Sequence, residues 1–170
     1  MEHGRNARQA ELMQPRIDVT VAAVIERDGQ FLIVEELACG RVVFNQPAGH
    51  LEPGESLIDA VVRETREETG YRFEPRHVLG IYLWRSETSE KSFLRVSFLG
   101  AAEPPSGSPR LDEGILAVHW MSRNRLLGLR EQLRSPLVLR CIDDYRAGVR
   151  FPLDCLTHVD LGPQGRARLA

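Results

Sequence analysis

The sequence predicts an α/β (α+β) sandwich: one domain with a mixed β-sheet and helices packed on it. Three observations carry this. β-Branched apolar runs such as "DVTVAAVIE", "QFLIVEE" and "KSFLRVSFLGAA" are interleaved with two segments that carry helix start and stop signals. At 170 residues and 42% hydrophobic, the chain is long enough for one core and short for two. Neither an internal repeat nor a low-complexity tract is present.

Taken in order, residues 1–16 are polar and irregular and read as a flexible tail, 17–160 as the domain, and 161–170, Gly-rich and basic, as a second flexible tail. Asp18 to Glu26 and Gln30 to Glu36 read as a hairpin turned at Asp28-Gly29. Phe44 to Glu55, with two prolines and two glycines, reads as a long shaped loop. Ser56 is a helix N-cap, Asp59 completes a capping-box pattern, and Gly70 supplies the stop. On that helix Ile58, Val61, Val62, Thr65 and Thr69 fall within one arc facing a sheet, and Glu64, Glu67 and Glu68 form the neighbouring arc. Val78 to Arg85, Lys91 to Ala102 and Gly114 to Met121 read as further strands. A short helix opens at Ser122, and a second long one has Ser135 as cap, Pro136 at its first position and Gly148 as stop.

Composition narrows the partner. A formal net charge of −2 gives no basic surplus for nucleic acid or an anionic membrane, so a small molecule is expected, bound by a monomer or homodimer. Cys39, Cys141 and Cys155 show no metal or disulfide spacing and read as reduced. The first residues lack an apolar h-region and no run reaches membrane-spanning length, which points to a cytoplasmic protein.

The stretch "RETREETGY" gathers Glu64, Glu67 and Glu68 at a helix C-terminus, where negative charge is disfavoured. Each like-charge pair at i+3 or i+4 costs roughly 0.2–0.5 kcal/mol in an isolated helix. Clustered carboxylates on a rigid element suit a hard divalent cation, Mg²⁺ or its substitute Mn²⁺, which would remove that repulsion. Mg²⁺ shares its coordination with substrate phosphates, so a diphosphate ester is the natural second partner.

From Gly49 the chain gives five residues, Glu55, seven residues, Arg63-Glu64, two residues, Glu67-Glu68, one residue and Gly70. These seven fixed positions over 22 residues resemble the Nudix box, with Thr65 and Tyr71 where aliphatic side chains are usual. The resemblance implies a Nudix-type α/β/α sandwich and a metal-dependent phosphohydrolase. It further implies Glu64, Glu67 and Glu68 as metal-binding carboxylates, the Gly49 carbonyl as an additional ligand, Glu55 as a supporting or extra-metal carboxylate, and Arg63 as the ion-pairing hub. The general base varies in this family, leaving Glu68 and Glu113 as alternatives. A wider similarity, including "FNQPAGHLEPGESL" and "LRSPLV", is to the NudJ-type phosphatase branch. That branch implies release of orthophosphate from nucleoside di- and triphosphates and action on thiamine-pathway pyrophosphates. A Nudix pyrophosphatase for ADP-ribose, a dinucleoside polyphosphate or an RNA 5′ end is the alternative, and a non-catalytic Nudix sensor is disfavoured because all four box glutamates are present.

Asn45, Gln46 and Arg95 are expected to contact substrate. Trp84 and Tyr82 have faces suited to a base, although strand aromatics are more often packing residues. His50 is left unassigned between a substrate contact and a backbone partner.

Overall fold

In chain order the elements are β1 (Ile17–Val24), β2 (Glu26–Arg27), β3 (Gln30–Ala38), β4 (Arg41–Asn45), β5 (Ala48–His50), α1 (Leu57–Thr69), β6 (Arg72–Arg85), β7 (Ser92–Glu103), β8 (Ile115–Ser122), α2 (Arg123–Gly128), α3 (Leu137–Arg146), β9 (Val159–Leu161) and β10 (Ala167–Leu169). They come from a computed structural model that describes residues 17–86, 91–161 and 167–169. The tail expected over 1–16 lies outside the described residues, whereas 167–169, expected in the other tail, pair antiparallel with 159–161.

A mixed sheet in the order β5-β1-β7-β6 carries the fold, with β1 parallel to β7 and antiparallel to β5. Side-chain alternation explains why β1 and β7 read as nearly continuous apolar runs: both faces are covered. Val21 and Ala23 of β1, with Val96 and Phe98 of β7, pack with Ala60 and Val61 of α1. Val24 and Leu99 point the other way, into a cluster with Val138, Cys141 and Ile142 of α3. The result is an α/β/α sandwich, as expected. A second sheet is built of β2, β3 and β4, with β8 also pairing to β3.

The expected hairpin is only partly present. Asp28 and Gly29 do turn the chain, both at positive φ (52° and 76°), but the pairing back on β3 is short: Glu26 and Arg27 form the ladder, and the Ile25 carbonyl accepts from the Leu32 N–H. The body of β1 belongs to the other sheet, because a strand buried on both faces takes partners from distant sequence.

Three further expectations change. The region 44–55 is not all loop, since 48–50 form β5 on the edge of β1. Strand β6 begins at Arg72 rather than Val78, and Pro75 is tolerated because β6 is an edge strand with irregular pairing there. Ser56 caps α1 as read, accepting from the Asp59 N–H, but Ser135 makes no side-chain cap for α3.

Candidate active site

Helix α1 places the box glutamates differently from the arc read in the sequence. Its buried residues are Ala60, Val61, Glu64, Thr65, Glu68 and Thr69, so Glu64 and Glu68 stand in the inward stripe with the core residues. Only Glu67 is substantially exposed, with 41% of its side chain accessible. Thr65, an odd residue for the box, is fully buried and satisfies its hydroxyl by donating to the Val61 carbonyl at 2.7 Å.

Arg63 is the hub. Nε and Nη2 donate to the two Glu55 oxygens at 2.8 and 2.9 Å, Nη1 donates to Glu64 and Glu67 at 2.8 and 3.0 Å, and Nη2 donates to the His50 carbonyl at 3.0 Å. All five guanidinium N–H groups are thereby used, which no lysine can imitate. This pairing keeps the Glu55 carboxyl below its ordinary pKa and the Arg63 guanidinium firmly protonated.

A Cβ at Gly49 would lie 2.0 Å from the Glu64 carboxyl carbon, so a larger residue there displaces that carboxylate. Glu68 is anchored by the Ala48 N–H, which donates to Oε2 at 2.8 Å. Burial pushes the Glu68 carboxyl up to about 9 and also raises Glu64. Glu36 and Asp112 add negative potential at Glu68. Among the described residues no three His, Cys, Asp or Glu side chains already converge as a metal centre; Arg63 bridges Glu64 and Glu67 instead.

Glu64 and Glu68 form part of the wall of a cleft of about 430 Å³ that also presents Thr20, Glu36, Asn45, Arg95, Arg134 and Ser135. A larger concavity of about 930 Å³ lies elsewhere, between Val62, Arg66, Arg72 and the 103–110 loop, and contains none of the box carboxylates. Among the described residues, five buried side-chain atoms lack a hydrogen-bond partner. Four belong to the smaller cleft: Thr20 Oγ1, Glu36 Oε1, Arg95 Nε and Ser135 Oγ. An unsatisfied buried polar atom costs about 1–3 kcal/mol, so this concentration points to polar ligand atoms rather than to folding.

The predicted contact residues divide. Arg95 is 8% exposed, and Nη1 reaches Asn45 Oδ1 at 3.5 Å, so these two share the cleft floor. Gln46 is 1% exposed, does not line the cleft and donates from Nε2 to the Val138 carbonyl, tying the loop to α3. Glu113 is exposed in the turn before β8 and does not line the cleft; its neighbour Asp112 donates its N–H to the Glu67 carbonyl and is the acid whose charge Glu64 and Glu68 feel. Tyr82 donates its hydroxyl to Asp144 at 2.9 Å. His50 has an exposed imidazole 3.9 Å from Asp18, and its role toward Arg63 is through its carbonyl.

Sequence reasoning missed Thr20, Glu36 and Ser135. The signal for Thr20 was a hydroxyl inside an otherwise apolar run, like Arg95 in "SFLRVSFL"; Ser135 was mistaken for a cap.

Comparison with known proteins agrees with this geometry. Residues 14–140 match the NUDIX domain family. The phosphatase NudJ of Escherichia coli strain K12 is 39% identical over 138 residues, covering 81% of this chain and 89% of that protein. A NUDIX hydrolase structure from Nitrosomonas europaea is 45% identical with a TM-score of 0.82, covering 84% of this chain and 97% of that one. The MutT protein structure from Methanosarcina mazei is 25% identical with a TM-score of 0.64, covering 80% and 98%. With its box, its sandwich and its buried glutamates accounted for, the chain belongs to the Nudix hydrolases.

Proposed function

We propose that this Nudix hydrolase cleaves phosphoanhydride bonds of nucleoside di- and triphosphates, releasing orthophosphate in the NudJ manner, and accepts thiamine-pathway pyrophosphates. The observation that carries the reading is one cleft with buried carboxylates on one wall and unsatisfied buried donors, Arg95 Nε and Ser135 Oγ, on its surface. Anionic oxygens are what such donors recognise.

Nudix hydrolases generally use divalent metal ions. The residues here fit one: Glu64 and Glu68 are carboxylates driven by burial toward the protonated form, and the Gly49 backbone lies against Glu64. In this reading Glu64, Glu67, Glu68 and the Gly49 carbonyl hold Mg²⁺, with Glu55 acting through Arg63. The bound ion would neutralise phosphate charge and make water a better nucleophile.

The chain's own groups do the rest. Arg95 and Ser135 donate to phosphate oxygens and orient the anhydride for in-line attack by water. Arg63 fixes Glu55, Glu64 and Glu67 so that carboxylate positions do not drift. The Ala48 N–H pins Oε2 of Glu68, which in its ionised form would take the proton from the attacking water as the P–O bond to the leaving phosphate breaks. Its place in the cleft favours Glu68 over the exposed Glu113 as base.

We assign the protein to the cytoplasm. Cys39, Cys141 and Cys155 are free thiols, which suits a reducing compartment. The function is tested by a panel of nucleoside di- and triphosphates, ADP-ribose and thiamine pyrophosphate with Mg²⁺ and phosphate detection. Orthophosphate from the nucleotides supports the reading, and cleavage of ADP-ribose alone would replace it.

A further inference from the structure

We infer that the concavity of about 930 Å³ between α1 and the 103–110 loop is a second binding site, for a polyphosphate anion, separate from the cleft at which hydrolysis is proposed. Three arginines line it, Arg66 from α1, Arg72 from β6 and Arg110 from the loop, against one carboxylate, Glu103. That local excess of positive charge stands against a formal net charge of −2 for the chain. Other arginines here are committed to acids: Arg63 to the box glutamates, Arg123 to Asp143 and Arg140 to Asp144. The side chains of Arg66 and Arg110 have no ion-pair or hydrogen-bond partner among the described residues. Arg72 meets Glu103 at 3.6 Å, but these side chains are 84% and 75% exposed, so solvent weakens the pair and Arg72 can turn to a ligand.

The facing wall is the stretch "EPPSGSPR", Glu103 to Arg110. Pro104, Pro105 and Pro109 fix φ near −65°, which restricts the loop before any ligand arrives. The loop is seated on the end of α1, since a Cβ on Gly70 would lie 2.4 Å from that of Pro109. Between the prolines, the N–H groups of Ser106, Gly107 and Ser108 donate to no described backbone carbonyl, and both serines are exposed. The concavity therefore offers guanidinium forks together with N–H and O–H donors. Guanidinium groups match phosphate oxygens two by two, and backbone N–H groups in turns add to such a site. The three arginines come from three separate elements, so a chain of phosphates engages them together where a single small anion would not. The loop then runs on to Asp112, whose N–H donates to the Glu67 carbonyl at 3.0 Å. An anion that holds the loop also holds this contact with the box helix.

Calorimetric titration with inorganic tripolyphosphate in EDTA tests the inference, because EDTA removes the cation through which the carboxylate-lined cleft would take a phosphate. Binding is expected, and Arg66→Gln/Arg110→Gln should weaken it about tenfold or more. Both residues are exposed, so the variant should keep its fold, which circular dichroism checks. In the unmodified protein, bound tripolyphosphate should slow amide hydrogen exchange over residues 103–112. Titration with ATP in EDTA separates two sources of the same chemistry: equal affinity assigns the site to a free phosphate chain, and tighter ATP binding assigns it to the triphosphate tail of a nucleotide. No binding of either probe in EDTA, an affinity unchanged in the folded variant, or slowed exchange confined to residues 45–50 and 93–97 of the cleft overturns the inference. Nucleotide turnover with Mg²⁺ should persist in the variant, so failure of this site and failure of the hydrolase reading are distinguishable.

Discussion

Replacing Arg63 by Lys isolates the value of a guanidinium at the centre of this site. The five N–H donors of Arg63 meet Glu55 twice and Glu64, Glu67 and the His50 carbonyl once each. An ammonium has three donors on one nitrogen, so at least two contacts are lost. Hydrogen bonds to charged groups are worth about 1.5–3 kcal/mol each. The Arg63 side chain is 23% exposed, and solvent screening reduces this to about 1 kcal/mol per contact at the outer ones. The expected loss is about 2–3 kcal/mol, or roughly 4–10 °C in Tm for a domain of this size. Thermal unfolding followed by circular dichroism in EDTA measures it. The loss should also depend on pH. Glu55 is held below its ordinary pKa in the folded state, so its pairing stabilises fully above the unfolded value of 4.5 and fades as pH falls through the folded value. The gap between the two proteins should narrow in acid; a Tm change under about 1 °C at neutral pH, or a gap that stays constant into acid, would refute the hub.

Other perturbations probe neighbouring parts of the same structure. Gly49→Ala puts a Cβ 2.0 Å from the Glu64 carboxyl carbon, so the carboxylate must move and kcat/KM should fall about 100-fold in initial-rate assays; an unchanged rate contradicts the close approach. Glu68 has the opposite linkage to Glu55. Its folded pKa is pushed up to about 9, so the metal-free protein is fully stabilised below 4.5 and loses stability as pH rises from there to about 9. Glu68→Gln should therefore match the unmodified protein near pH 4 in urea denaturation and exceed it, on the order of 2–4 kcal/mol, at pH 8. A difference that does not change with pH would sink that argument. Thr65→Val should change stability by less than about 1 kcal/mol, because the hydroxyl is satisfied within its own helix; a loss above about 2 kcal/mol would show that the hydroxyl matters beyond it.

Much of the fold was legible because its signals are local. Ser56 and Gly70 bound α1, and the turn at Asp28-Gly29 is where it was read. What the sequence concealed is the partner of each strand. Nothing local distinguishes β1 pairing with β3 from β1 pairing with β7, whose partners lie 75 residues away, when both faces of the strand are apolar. Spacing singled out Gly49, Glu55, Arg63, Glu64, Glu67 and Glu68 as candidate site residues. It did not show that Glu64 and Glu68 turn inward while Glu67 remains more exposed, since a helical wheel gives angles and not the direction of the core. Gln46 is expected, with Asn45, to contact substrate, yet adjacent residues at a strand end point to opposite sides, and its amide serves α3. Thr20 and Ser135 carry no motif; their meaning appears only when burial and unsatisfied hydrogen bonds are seen together.

We propose Glu64 and Glu68 as the cation-binding wall of a site at which water displaces orthophosphate from a nucleotide. The most direct test is ³¹P NMR of a nucleoside triphosphate incubated with the protein and Mg²⁺, alongside Glu68→Gln and an EDTA control. Resonances of orthophosphate and nucleoside diphosphate are expected as the first products, with neither formed by the variant or in EDTA. Pyrophosphate and nucleoside monophosphate as first products, or undiminished turnover by the folded Glu68→Gln protein, would contradict it.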